Sequence, residues 1–237
     1  MRTAESNPTA AAFGAGRGRF TLVASMVLVG ALVGCRGDAP GYGIGEGAPD
    51  IVGYERAYME SGGAEEIGMP ASAVERWSVG CRQLFAGGRS KTAVLLQQPC
   101  GENRQVFAVT GAFWDLFRNA GEDAKFDYGF PVGRRAAWKH GWTQGFGHGG
   151  GLSAFFMQRS GGPPHVLSSP MLEYYLSFDD RDERFGYPTA GQSTLTGGRR
   201  CQEFEQATIT ATKDGAHYAF SVLSAHGDGR SPRCQHL

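Results

Sequence analysis

The chain of 237 residues has no excess of charge of either sign, with 23 Lys and Arg against 23 Asp and Glu. Arg2, Arg17, Arg19 and Glu5 precede Gly34, which leaves 20 basic and 22 acidic residues beyond it. Nucleic acids and anionic bilayer surfaces are held by a basic excess, so no nucleic-acid partner is expected. A long apolar run is lacking too. Phe20–Val33 has fourteen residues, which is too short to cross a bilayer as a helix.

Signatures of chemistry are equally scarce. There is no Gly-x-Ser-x-Gly, Ser-x-x-Lys or His-Glu-x-x-His, and Gly151-Leu152-Ser153-Ala154-Phe155 lacks the second glycine of a nucleophile elbow. Neither Cys-x-x-Cys nor His-x-x-x-His accompanies the cysteines, so no metal centre is expected. A glycosidase needs only two carboxylates, and spacing along the chain does not reveal such a pair. Glu75 and Glu203 lie near the repeated marks described below, yet Glu75 has no acidic counterpart at Ala136 or Ser193. The expectation is a non-enzyme with no cofactor.

What is present begins with a targeting segment. Arg17 and Arg19 precede the apolar run, which ends in Leu32-Val33-Gly34-Cys35. This arrangement resembles a bacterial lipoprotein signal, with residues 1–34 removed and Cys35 lipidated as the new N-terminus. Two acyl chains would then anchor the protein stably to a membrane. Residues 35–48 follow as a glycine-rich linker. Beyond Cys35 the cysteines are Cys81, Cys100, Cys201 and Cys234, an even number that suits two disulfides in an oxidising compartment. Three connectivities are open, and the one that keeps each bridge local is Cys81–Cys100 with Cys201–Cys234. Cys81 and Cys201, two residues and one residue before a recurring Gln, take near-equivalent places.

Glycine is abundant, at 37 residues, about twice the usual share. Part of that share belongs to a repeat. Ile67-Gly68-Met69-Pro70, Tyr128-Gly129-Phe130-Pro131 and Phe185-Gly186-Tyr187-Pro188 each read apolar, Gly, apolar, Pro, with their glycines 61 and 57 residues apart. A Gln-x-Phe follows each: Gln83 with Phe85, Gln144 with Phe146, and Gln202 with Phe204. Gly permits φ > 0 and Pro fixes φ, so the tetrapeptides stop a helix and turn the chain.

The tetrapeptides with their Gln-x-Phe resemble the LGFP repeat of bacterial envelope proteins, over about residues 49–237. The resemblance implies non-covalent association with a cell-wall polymer, either peptidoglycan or an attached glycan. It departs from the family pattern in having Ile, Tyr and Phe where Leu is usual. The expected fold is α+β: three tandem units of about 60 residues, each a short helix, a Gly-x-Pro turn and a β-hairpin, packed as a propeller-like ring or an open stack. Predicted helices start near Pro49, with Ile51, Tyr54 and Tyr58 on one face, near Phe113, and at Ser169 as N-cap with Pro170 first in the helix. Predicted hairpins join Gln83–Ala86 to Thr92–Gln97 and Ala207–Thr212 to His217–Val222.

Candidate ligand contacts are few. Trp138 and Trp142, beside His140, His148 and a glycine-rich stretch, could stack on sugar rings or fill the core. Each recurring Gln must satisfy its amide, on backbone or on a ligand. The acidic run Asp179, Asp180, Asp182 and Glu183 lacks the alternation of a calcium loop. The functional expectation is an exported, lipid-anchored, wall-associated protein. The alternatives are a wall hydrolase or transferase and an envelope scaffold that binds another protein.

Overall fold

A computed structural model describes residues 50–77, 80–101, 104–120, 127–149, 151–224 and 233–237. The signal segment, Cys35 and the linker lie outside them. Among the described residues no helix is long and apolar enough to cross a membrane.

The fold is mixed α and β, with three antiparallel sheets and a few short helices. Helix α1 (Ile51–Glu60) is capped by the Asp50 carboxylate, which accepts from the Gly53 N–H at 2.9 Å. A four-residue helix α2 (Gly63–Glu66) leads into the first sheet, whose strands are β1 (Gly68–Pro70), β2 (Glu75–Trp77), β3 (Gly80–Gly87), β4 (Thr92–Gln97) and β5 (Val106–Thr110). Strand order is β1-β3-β4-β5, with β2 also paired to β3. Helix α3 (Ala112–Asn119) then opens a second sheet of β6 (Phe130–Pro131), β7 (Ala136–Trp138), β8 (Gly141–His148), β9 (Gly151–Arg159) and β10 (Pro164–Ser168), in the order β6-β8-β9-β10 with β7 on β8. Helices α4 (Met171–Leu176) and α5 (Arg181–Arg184) precede the third sheet, β11 (Ser193–Thr194), β12 (Arg200–Glu203), β13 (Ala207–Asp214) and β14 (His217–Ser224), joined in sequence order.

The predicted hairpins are present as β3–β4, the central pair of the first sheet, and β13–β14, where β14 is the edge strand of the third, and each belongs to a larger sheet. The tetrapeptide adds an edge strand as well as a turn. Pro70 pairs with Phe85, Pro131 with Phe146, and Pro188 bridges to Phe204. Because Pro has no N–H to donate, an edge is where a sheet can accept it.

Side chains alternate across each strand, so a sheet can bury two faces. From β4, Ala93 and Leu95 enter the first core with Tyr54, Ala57, Ile67 and Phe85. Val94 and Leu96 enter the second core with Phe113, Phe117, Phe146 and Phe156. Strand β9 divides likewise, with Phe156 in the second core and Met157 in the third, beside Tyr175, Phe185, Phe204 and Ile209. Each of the first two sheets therefore packs against the helix before it and the helix after it. In the third sheet the positions matching Val94 and Leu96 by strand register are Thr208 and Thr210, buried hydroxyl side chains in place of apolar ones.

Cys81 is bonded to Cys100 and Cys201 to Cys234, the pairing that keeps each bridge local and one that suits an oxidising environment. The two do not occupy equivalent places. Cys81 lies on the face of Gln83 and Phe85 and is buried in the first core. Cys201, one residue closer to its Gln, falls on the opposite face of its strand, where it ties down the segment Arg233–Leu237. Two helix expectations also need correcting. Ile51 is 53% exposed, off the buried face of Tyr54 and Ala57. Pro170 is the N-cap of α4, ahead of its first residue, and the Ser169 hydroxyl donates to the Glu173 carboxylate instead of capping the backbone.

Candidate functional site

The repeated residues form one constellation, built three times. Gly68, Gly129 and Gly186 have φ of +89°, +78° and +72°. A Cβ on Gly68 or Gly129 would lie 2.0 or 2.2 Å from a carbonyl oxygen of the adjacent strand, so these positions need glycine for space as well as for φ. Each Gln-x-Phe ring stacks on an aromatic ring of its own helix. The pairs are Tyr58 on Phe85 at 5.3 Å, Phe117 on Phe146 at 5.3 Å, and Tyr175 on Phe204 at 5.5 Å. The Tyr58 and Tyr175 hydroxyls donate to the carbonyls of Gly68 and Gly186. Burial pushes the Tyr175 hydroxyl well above its ordinary pKa, so it stays a donor.

The three Gln side chains share a task. Gln83 Nε2 donates to the Ser72 carbonyl at 3.2 Å, Gln144 Nε2 to Gly133 at 3.0 Å, and Gln202 Nε2 to Ala190 at 2.6 Å. Each acceptor stands two residues beyond the tetrapeptide Pro. The amides therefore hold the chain that leaves the turn, and Gln144 also reaches back to Ala108 of the first sheet at 2.8 Å.

Trp138 and Trp142 part company. Trp138 is half-buried against the third core, its ring edge-on to Tyr187 at 4.6 Å, and its carbonyl accepts from the Tyr187 hydroxyl. Trp77 does the same one sheet earlier, lying 5.9 Å from both Phe130 and Phe117. Trp142 is 40% exposed, and the Arg135 guanidinium lies over it at 4.8 Å. His140 and His148 are both exposed.

Arg135 also lines a cleft of about 150 Å³ between the first and second sheets, with Glu60, Ser61, Glu66, Thr110 and Arg134. Arg134 pairs with Glu60 at 2.5 Å. Glu66 accepts from the Ser90 hydroxyl at 2.8 Å and from Arg89 at 3.3 Å. The half-buried Arg135 guanidinium has its pKa lowered by burial and raised again by the nearby Glu66 charge. The lining thus combines two carboxylates, two guanidiniums and hydroxyls, with an indole behind.

Four other carboxylates singled out in the sequence are engaged elsewhere. Glu75 pairs with Arg82 at 2.8 Å, and Glu203 accepts from the Cys234 N–H at 2.8 Å. In the acidic run Asp180 pairs with Arg184, which holds its carboxyl below the usual range, and Asp182 pairs with Lys139. Among the described residues no group of three or more His, Cys, Asp or Glu is placed to hold a metal ion. Neither a protein-family model nor a curated protein matches the chain.

Sequence reasoning missed Trp77 and the cleft. Trp77 carried a usable signal, because it lies seven residues beyond its tetrapeptide Pro, as Trp138 does. The cleft carried none, since its walls come from three separate segments.

Proposed function

We propose that this is an exported, non-catalytic protein, lipid-anchored at Cys35, which associates with the bacterial cell wall through three LGFP-like units in an open stack. The observation that carries the reading is the threefold constellation: left-handed Gly, edge-paired Pro, carbonyl-bound Gln and stacked Phe recur at the spacing of the motif. Openness is supported by Met69. It holds the register position of Phe130 and Tyr187, which a Trp of the preceding sheet covers, yet it is 65% exposed. A closed ring would cover it. The disulfides suit the envelope compartment, and the cleft offers hydroxyl-binding groups at the surface.

Among the described residues the buried core runs from Tyr54 to Cys234, so residues 36–237 keep it whole. That fragment is expected to co-sediment with isolated cell walls. A fragment that stays in the supernatant overturns the proposal, and release of soluble wall fragments points to a hydrolase. In cells, Cys35→Ser should move the full chain out of the membrane fraction. Unchanged fractionation removes the lipid anchor from the reading.

A further inference from the structure

From the geometry of the cleft between the first and second sheets, we infer a subsite for one neutral, hydroxyl-rich sugar ring, held by Arg135 and backed by Trp142. The inference deepens the wall-association reading and rests on it for the source of the sugar.

A guanidinium has five N–H donors, yet among the described residues Arg135 lies over the Trp142 ring without a hydrogen-bond acceptor or an ion-pair partner. Its neighbour Arg134 is occupied by Glu60. A half-buried cation with open donors at the wall of a cleft suits a ligand that presents oxygen acceptors.

Arg135 already lies in the field of Glu66, and the lining carries two acids and two bases. An incoming anion would compete with Glu66 for Arg135 and meet Glu60 as well. A neutral polyol leaves that balance intact, because its hydroxyls accept from Arg135 and donate to the Glu60 and Glu66 oxygens.

About 150 Å³ is the volume that accommodates a single six-membered ring. Trp142 stands behind Arg135, outside the lining, and its ring under the guanidinium holds that donor group in position at the wall of the cleft. The matching place at the next junction bears on the same point. Gln192 stands four residues beyond Pro188, as Arg135 stands four beyond Pro131, and its Nε2 is buried without an acceptor. Its Oε1 instead accepts from Ser168, the register counterpart of Thr110 in the first cleft. An unused donor thus recurs at both junctions, and the first is the one with the exposed indole.

The test is by NMR on residues 36–237, following the Trp142 indole N–H and the Arg135 Nε–H while methyl glucoside, methyl galactoside, methyl mannoside and methyl N-acetylglucosaminide are added separately. At least one glycoside should move both signals together and saturably. Arg135→Ala and Trp142→Ala should each weaken that response about tenfold or more, with melting temperature little changed, and Arg135→Lys should restore only part of it. The inference is overturned if none of the four moves the pair, if the shifts persist in both variants, or if only an added acidic polymer, polygalacturonate, produces them. Wall co-sedimentation of the same proteins separates the two readings. Equal sedimentation of wild type and Arg135→Ala would retain wall association and discard this subsite. Glycoside shifts in a protein that does not sediment would retain the subsite and discard the wall.

Discussion

Gly129 shows how one residue fixes the local path. Its φ of +78° is unfavourable for any residue with a Cβ, and the added atom would lie 2.2 Å from the Gly147 carbonyl oxygen. Gly129→Val is therefore expected to destabilise the protein by about 3 kcal/mol or more, through strain and displacement of β8 together. Wall binding should fall only in step with the folded fraction. Urea melts and co-sedimentation on the same preparation check this, and a variant that melts normally but loses binding would make the glycine a ligand contact. Such marks were legible in the sequence because Gly and Pro constrain the backbone wherever they stand. The role of Gln was half legible. A buried amide must find partners, but only the fold shows that the carbonyl two residues past each Pro is within reach in every sheet.

At the scale of elements, the sequence reading stopped at the hairpin. Thr92–Gln97 was legible as a strand, but its apolar run Ala93-Val94-Leu95-Leu96 serves two cores, which the chain needs because neither face meets water. The contact that joins successive sheets is a Trp above a Gly. Trp77 with Gly80 receives Phe130, and Trp138 with Gly141 receives Tyr187. A Cβ on Gly80 would lie 2.4 Å from the Phe130 ring, and one on Gly141 would lie 2.8 Å from the Tyr187 hydroxyl. Of the two uses open to Trp138 in the sequence, sugar stacking or core filling, its packing on Tyr187 matches the second, through a neighbour 49 residues away that the sequence alone does not reveal. Trp77→Ala and Trp138→Ala should each cost about 2 to 4 kcal/mol, somewhat less than fully buried aromatic truncations because both rings are half-buried. Trp142→Ala should cost under about 1 kcal/mol. Chemical melts of the three variants test the order. Equal losses in all three would mean that Trp142 supports the fold and is not a free platform.

At the scale of the whole molecule the third sheet departs from the first two. Each junction matches an apolar outer face with the next helix, and the third sheet offers Thr208 and Thr210 in place of Val94 and Leu96. Leu195 and Arg199 replace the Trp and Gly that receive a following sheet, and the Leu195 N–H closes onto the Arg199 carbonyl at 2.7 Å. The segment Arg233–Leu237 is held there by Cys201–Cys234, by the Cys234 N–H on Glu203, and by Arg199 on the Leu237 carbonyl at 2.9 Å. The third sheet thus closes on the segment Arg233–Leu237 where the first two meet the next helix. In an array of such units stability is set between neighbours, so the two disulfides should act locally. Their loops of 19 and 33 residues give each about 3 to 4 kcal/mol in the chain-entropy account. Replacing Cys201 and Cys234 by Ala should speed hydrogen exchange in β12–β14 and leave β3–β4 and β8–β9 protected. Replacing Cys81 and Cys100 by Ala should do the reverse, and more severely, because those sulfurs are packed in the first core. A uniform loss of protection across all three sheets in both double variants would show a single cooperative body, and the neighbour-by-neighbour account of the array would fail.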